Sequence, residues 1–166
     1  MEKEEFIKVL EDIQDSDIKI LEDAVSSHQK IILLGNGGSN SICSHIAQDF
    51  TKQLGKTAIS FSDPSRLTCY INDYGMEVAY TKFLEHFCEP ETLVILISSS
   101  GNSLNIFNSA KYCVEKNIKF IVLTGFDIDN KTKAEFSDKA LLNLWVNSKN
   151  YGVVECAHQA ILHMVV

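Results

Sequence analysis

Hydrophobic and polar positions along the chain alternate between two rhythms. From Glu4 to Ser26 the apolar residues Phe6, Val9, Leu10, Ile13, Ile18, Leu21 and Val25 recur mostly at three- and four-residue steps, the stripe of one long amphipathic helix. Lys30–Gly35 is instead a short continuous apolar run closed by glycine, the pattern of a parallel strand buried on both faces. Ser39–Leu54 returns to the helical rhythm, with Ile42, Cys43, Ile46, Phe50 and Leu54 on one side. The alternation then repeats. Thr57–Phe61, Thr92–Ile97, Lys119–Thr124 and Ala140–Val146 read as strands. Stretches around Ser65–Ile71 and Gly75–Phe87, then Leu104–Lys116 and Tyr151–Val166, read as helices.

About five apolar strands alternating with helices predict a three-layer α/β sandwich, a parallel sheet covered by helices on both faces. The 166 residues fit one domain, a first helix over 1–28 and an α/β core over 29–166, with no linker or internal repeat. In such sheets ligands bind beyond the carboxyl ends of the strands, so the loops that follow the strands carry the candidate chemistry.

Composition narrows the partners. The net charge is −7 with no cluster of Lys or Arg, which argues against binding to a nucleic-acid backbone. No apolar run approaches a membrane span and the N-terminus is acidic, so a cytoplasmic protein without a membrane partner is expected. The five cysteines are odd in number and dispersed, with no CxxC pair, and read as reduced thiols. A small anion needs no net positive charge, since a few backbone N–H groups at a helix start hold it.

Two loops offer such groups. Gly35-Asn36-Gly37-Gly38-Ser39 follows the first strand, and Ser98-Ser99-Ser100-Gly101-Asn102-Ser103 follows the third; each leads directly into a helix. Neither is a GxGxxG fingerprint or a Walker loop. Together with Asn72-Asp73-Tyr74-Gly75 and Leu123-Thr124-Gly125, in this order and over nearly the whole chain, they resemble the sugar isomerase (SIS) family. Within it the resemblance is nearest to the phosphoheptose isomerases, and the segment Phe61–Gly75 strengthens it.

The resemblance implies an SIS fold and a sugar-phosphate substrate. It implies a phosphate cradle of Ser39, Ser98, Ser100 and Ser103 backed by Gly37, Ser99 and Asn102, with Asn36 and Asp73 meeting sugar hydroxyls. It implies a homotetramer with N-terminal helices packed together and active sites at subunit contacts. It also implies one zinc per subunit, at the positions that read His45, Asp49, Glu155 and His163 here. His45 and Asp49 stand at i and i+4, and Glu155 and His163 at i and i+8, each pair on one helix face; two imidazoles and two carboxylates suit a tetrahedral divalent ion. His158 lies near enough in sequence to substitute as a ligand or to support one. Asp49 and His163 are the expected acid–base pair of an aldose–ketose isomerisation through an enediolate.

Three departures qualify the resemblance. Similar isomerases have Glu where Asp49 stands, Gln where Glu155 stands, and a polar residue in place of Gly152. The resemblance implies sedoheptulose 7-phosphate or a closely related sugar phosphate as substrate, and the last departure leaves the preferred sugar among these open. The chain also ends in the apolar Leu162-His163-Met164-Val165-Val166, an end expected to fray unless a neighbouring subunit covers it. A second class of function stays open: some similar SIS tetramers are protein-binding scaffolds or sugar-phosphate sensors without isomerase activity, and these need no metal or base.

Overall fold

The computed structural model describes residues 2–166. In chain order the elements are α1 (Lys3–Glu11), α2 (Asp15–Ser27), β1 (Lys30–Gly35), α3 (Gly38–Leu54), β2 (Thr57–Ser60), α4 (Pro64–Tyr74), α5 (Met76–Phe87), β3 (Leu93–Ser98), α6 (Leu104–Glu115), β4 (Lys119–Thr124), α7 (Lys131–Phe136), β5 (Leu142–Trp145) and α8 (Tyr151–His163). The strands form one parallel sheet in the order β2-β1-β3-β4-β5. Strand register puts Leu33 opposite Ile95, and Ile95 opposite Ile121.

The unbroken apolar runs of β1, β3 and β4 are explained by two cores, one on each face. Ile31, Leu33, Ile95, Ile97, Ile121 and Leu123 point into the core covered by α1, α2, α3 and α8. Their alternates Ile32, Leu34, Val94, Leu96 and Val122 point into the core covered by α5, α6 and α7. Successive side chains of a strand face opposite ways, so a strand between two helical layers has no polar side to offer.

The first helix differs from its expectation. It is two helices, interrupted at Asp12–Gln14. Gln14 is extended, with φ −85° and ψ 135°, and Asp15 and Asp17 occupy the first turn of α2, where carboxylates favour the start of a new helix. The bend lets both halves reach the same core: Val9 from α1, and Leu21, Ala24 and Val25 from α2, are buried there. The apolar stripe is thus covered largely within its own chain, leaving Ile7 and Ile20 exposed.

The short helix α7 has no counterpart among the expected elements. Its six residues, Lys131-Thr-Lys-Ala-Glu-Phe136, are too few to set a rhythm, and Asn130 starts it by accepting a hydrogen bond from the Lys133 N–H. Among the described residues no helix is long and apolar enough to cross a membrane, and all five cysteines are free thiols.

Candidate active site

The chain leaves β1 toward β2 on one side and returns to place β3 on the other side. Between the carboxyl ends of β1 and β3 a crevice therefore opens, the usual seat of a ligand in such sheets. The glycine loop comes from one wall and the serine loop from the other. Between them lies a cleft of about 120 Å³, lined by Asn36, Ser39, Ile97, Ser98, Ser99, Ser100, Ser103, Tyr151 and Glu155.

Local backbone chemistry fixes both walls. Gly37 has φ +53°, and Gly101 has φ +63° with no room for a side chain, since an added Cβ would run into the Asn130 side chain; glycine alone accepts both conditions. The Asn102 carboxamide oxygen accepts from the Lys131 N–H at 3.1 Å, and the Thr132 N–H donates to the Gly101 carbonyl at 3.0 Å. The start of α7 thus holds the serine loop from behind. Asn105, buried in the first turn of α6, pairs its amide with that of Asn36. Inside the cleft the Ser98 hydroxyl donates to Ser103 over a long 3.4 Å. The Ser99 Oγ is buried and has no hydrogen-bond partner.

Farther along α3 and α8 three side chains converge. The Nε2 atoms of His45 and His163 are 3.2 Å apart, and each is 3.3 Å from Asp49 Oδ2. Ligand atoms about 2.0–2.1 Å from a tetrahedral zinc ion stand about 3.3–3.4 Å from one another, so this triangle has the dimensions of one face of a zinc tetrahedron. Two imidazole nitrogens facing each other beside a carboxylate oxygen are satisfied only by a proton or a cation among them. The His163 Nδ1–H donates to the Gln159 carbonyl at 3.0 Å, which turns the Nε2 lone pair toward the triangle. The donor set and its spacing fit a divalent ion.

Glu155 lies elsewhere. Among the described residues the group whose ligand atoms all lie within 4.8 Å of one another is His45, Asp49 and His163, without Glu155. Its carboxyl group rests in the serine cleft over Gly38: Cδ and Oε1 are 2.5 Å from the place a Cβ on Gly38 would take. Only the absence of that side chain makes the position possible.

The helices α3 and α8 therefore run side by side in the same direction, with Gly38 beside Glu155 and His45 beside His163. The serine cleft is at their amino ends and the imidazole–carboxylate triangle farther on.

Of the expected substrate contacts, Asn36, Ser39, Ser98, Ser99, Ser100 and Ser103 line the cleft, while Gly37, Asp73 and Asn102 do not. Asn102 braces the loop instead. Asp73 is exposed on α4 and accepts a hydrogen bond from Asn72. His158 is corrected: it is fully buried, its Nε2 within 3.1 Å of the Thr124 carbonyl, and it does not join the triangle. Burial pushes its pKa down from 6.5 to about 4. The apolar neighbours Ala157, Ile161 and Leu162 were the signal for this core placement. Sequence reasoning missed Tyr151 and Asn105. Tyr151 opens α8 with its ring edge-on to Phe126, and Asn105 had no motif to mark it.

Known proteins resemble the chain in sequence and in fold. A phosphoheptose isomerase from Tolumonas auensis is 39% identical over 103 residues, 59% of this chain and 54% of that protein. One from Fusobacterium nucleatum is 32% identical over 143 residues, 83% of this chain and 71% of that protein. The chain thus spans little more than half the length of the first of these relatives. No family profile matches it. Among solved structures, the phosphoheptose isomerase of Neisseria gonorrhoeae superposes with a TM-score of 0.86 at 27% identity, covering 97% of this chain and 91% of that one. With sequence similarity and fold in agreement, the chain belongs to the phosphoheptose isomerase family.

Proposed function

We propose that the protein is an aldose–ketose isomerase acting on a sugar phosphate, sedoheptulose 7-phosphate or a close relative, with one zinc ion per subunit. The observation that carries this reading is the placement of two sites on one pair of helices. The serine cleft at the start of α3 offers hydroxyls and a helix amino end to a phosphate. The triangle of His45, Asp49 and His163 lies farther along the same helix pair, where the carbonyl end of an anchored sugar would be presented.

In this reading Ser39, Ser98, Ser100 and Ser103 hold the phosphate oxygens, and Ser99 supplies the unpartnered hydroxyl. Anchoring one end of the sugar converts the reaction into an intramolecular one at the other end. Asp49 takes the proton from the carbon beside the carbonyl, leaving an enediolate. His163, whose Nδ1–H is held by the Gln159 carbonyl, moves the proton between the two sugar oxygens through Nε2 when that atom is not holding the metal, and the abstracted proton returns to the neighbouring carbon. His45, Asp49 and His163 would hold the zinc, with Glu155 the proposed fourth ligand. When bound, zinc supplies Lewis-acid polarisation of the sugar oxygens.

Gly152 bears on the choice of sugar. It sits in the first turn of α8, where its N–H donates to Asn150 at 2.9 Å, and it presents no polar side chain toward the sugar. The proposal therefore includes close relatives of sedoheptulose 7-phosphate among the sugars accepted. It also includes a homotetramer with sites at subunit contacts. The tetramer is supported by α4, an amphipathic helix none of whose residues is fully buried, and by Asp73, which lies on it away from its own chain's cleft.

The test is the metal content of protein purified without chelator, paired with turnover of sedoheptulose 7-phosphate and a panel of sugar phosphates before and after chelation. Stoichiometric zinc with chelator-sensitive isomerisation supports the reading. Neither metal nor turnover on any sugar would replace it with a non-catalytic scaffold or sensor.

A further inference from the structure

Glu155 stands where a phosphate is expected. Its carboxylate shares the cleft with Ser39, Ser98 and Ser103 and lies over Gly38, the first residue of α3. A carboxylate at a helix amino end is favourably placed by the helix dipole and the free N–H groups. The same features attract phosphate, so the two anions compete for one seat and repel each other if both are present. The cleft, at about 120 Å³, leaves little room for a rearranged pair.

The alternative seat for this side chain lies along the same groove. The triangle of His45, Asp49 and His163 presents three ligand atoms, and a tetrahedral ion takes a fourth. Side chains on a helix lean toward its amino end, so the imidazoles of His45 and His163 reach back along α3 and α8 toward Glu155. The Glu155 carboxylate cannot serve both places.

We propose, resting on the reading of the cleft as a phosphate seat, that Glu155 links the two sites. Without a divalent ion it occupies the anion seat. A divalent ion in the triangle draws its carboxylate away and opens the seat to phosphate. Metal and phosphate then bind with positive cooperativity, and by linkage each tightens the other by the same factor. A neutral amide at this position gives no such coupling, because it neither repels phosphate nor is drawn as strongly to a cation.

The experiment is calorimetric titration of inorganic phosphate into the full chain, zinc-loaded and chelated, for the wild type and for Glu155→Gln, with the reciprocal titration of zinc in the presence and absence of phosphate. Near-ultraviolet and far-ultraviolet circular dichroism confirms that the variant is folded, and Glu155→Ala serves as a second variant lacking the charge. In the wild type zinc is expected to tighten phosphate binding by about tenfold or more, within the usual range of coupling between sites. Both variants are expected to bind phosphate without zinc more tightly than the wild type does, and to show at most about threefold coupling from the ion's own charge. Equal coupling in wild type and variants overturns the inference while leaving the phosphate seat and the isomerase reading in place. Absence of phosphate binding in every form overturns both.

Discussion

The side-chain amides of Asn36 and Asn105 face each other and exchange two hydrogen bonds, of 3.0 and 2.8 Å. They tie the loop after β1 to the first turn of α6, and so set the width of the crevice between β1 and β3. Asn105 is buried, so truncating it leaves the Asn36 amide without its partner in a partly desolvated place. Asn105→Ala is expected to lower unfolding free energy by about 1–3 kcal/mol and to weaken phosphate binding several-fold, read by urea unfolding and calorimetry. Unchanged stability would show that the pair is dispensable.

Metal removal and ligand substitution should act alike. His45→Ala, Asp49→Ala and His163→Ala are each expected to lose stoichiometric zinc by elemental analysis. For Asp49→Ala and His163→Ala turnover should also fall by about 100-fold or more, the scale of lost acid–base catalysis. Wild-type turnover in both of these would sink the assignment of the acid–base pair.

Two glycines separate a movable neighbour from a fixed one. At Gly38 an added Cβ meets the end of the Glu155 side chain, whereas at Gly101 it meets the Asn130 side chain and a φ of +63°. Asn130 is buried and held by Gly125 and Asp127 carbonyls, so it has no room to yield. Gly101→Ala is expected to cost about 1–3 kcal/mol of stability from the strained backbone alone, with loss of the cleft. Gly38→Ala should cost less, because Glu155 can swing away. Thermal unfolding of both variants gives the comparison, and the reverse ranking would contradict it.

His158 makes stability depend on pH. Its pKa in the folded protein is about 4 against an ordinary 6.5, because it is buried away from water. As pH falls the unfolded chain takes up this proton first, so unfolding is favoured. The contribution is fully present above pH 6.5 and is lost between 6.5 and 4, at up to about 1.4 kcal/mol per pH unit. His158→Gln should flatten the pH dependence in that window relative to wild type, as measured by denaturant unfolding at several pH values. Parallel curves for the two proteins would rule out His158 as the source.

The sheet was legible because strands buried on both faces are written as apolar runs. Lys30–Gly35 and Lys119–Thr124 have the bounds that the pattern sets, and β5 is shorter at both ends than Ala140–Val146. The break at Asp12–Gln14 was hidden, since Ile13 and Ile18 continue the stripe through it. Within the site, the serines of the loop after β3 were readable from composition and position. The seat of Glu155 was not, because helical spacing places a residue on a face of its helix without saying which of two neighbours its side chain meets. His158 and Glu155 sit three residues apart on α8, one turned into the core and the other into the cleft. The difference comes from packing against β4 and α3, which the sequence of α8 does not contain.

The parallel run of α3 and α8 makes the spacing of the site residues a shared gauge. Gly38 and His45 are seven residues apart on one helix, Glu155 and His163 eight on the other. An α-helix turns by about 100° per residue. Inserting or deleting one residue between Gly38 and His45 therefore swings both His45 and Asp49 off the facing helix while the cleft end stays in register. A similar change between Glu155 and His163 does the same to His163. In this fold the distance between the site residues along a helix can change only by about a whole turn, and only if both helices change together.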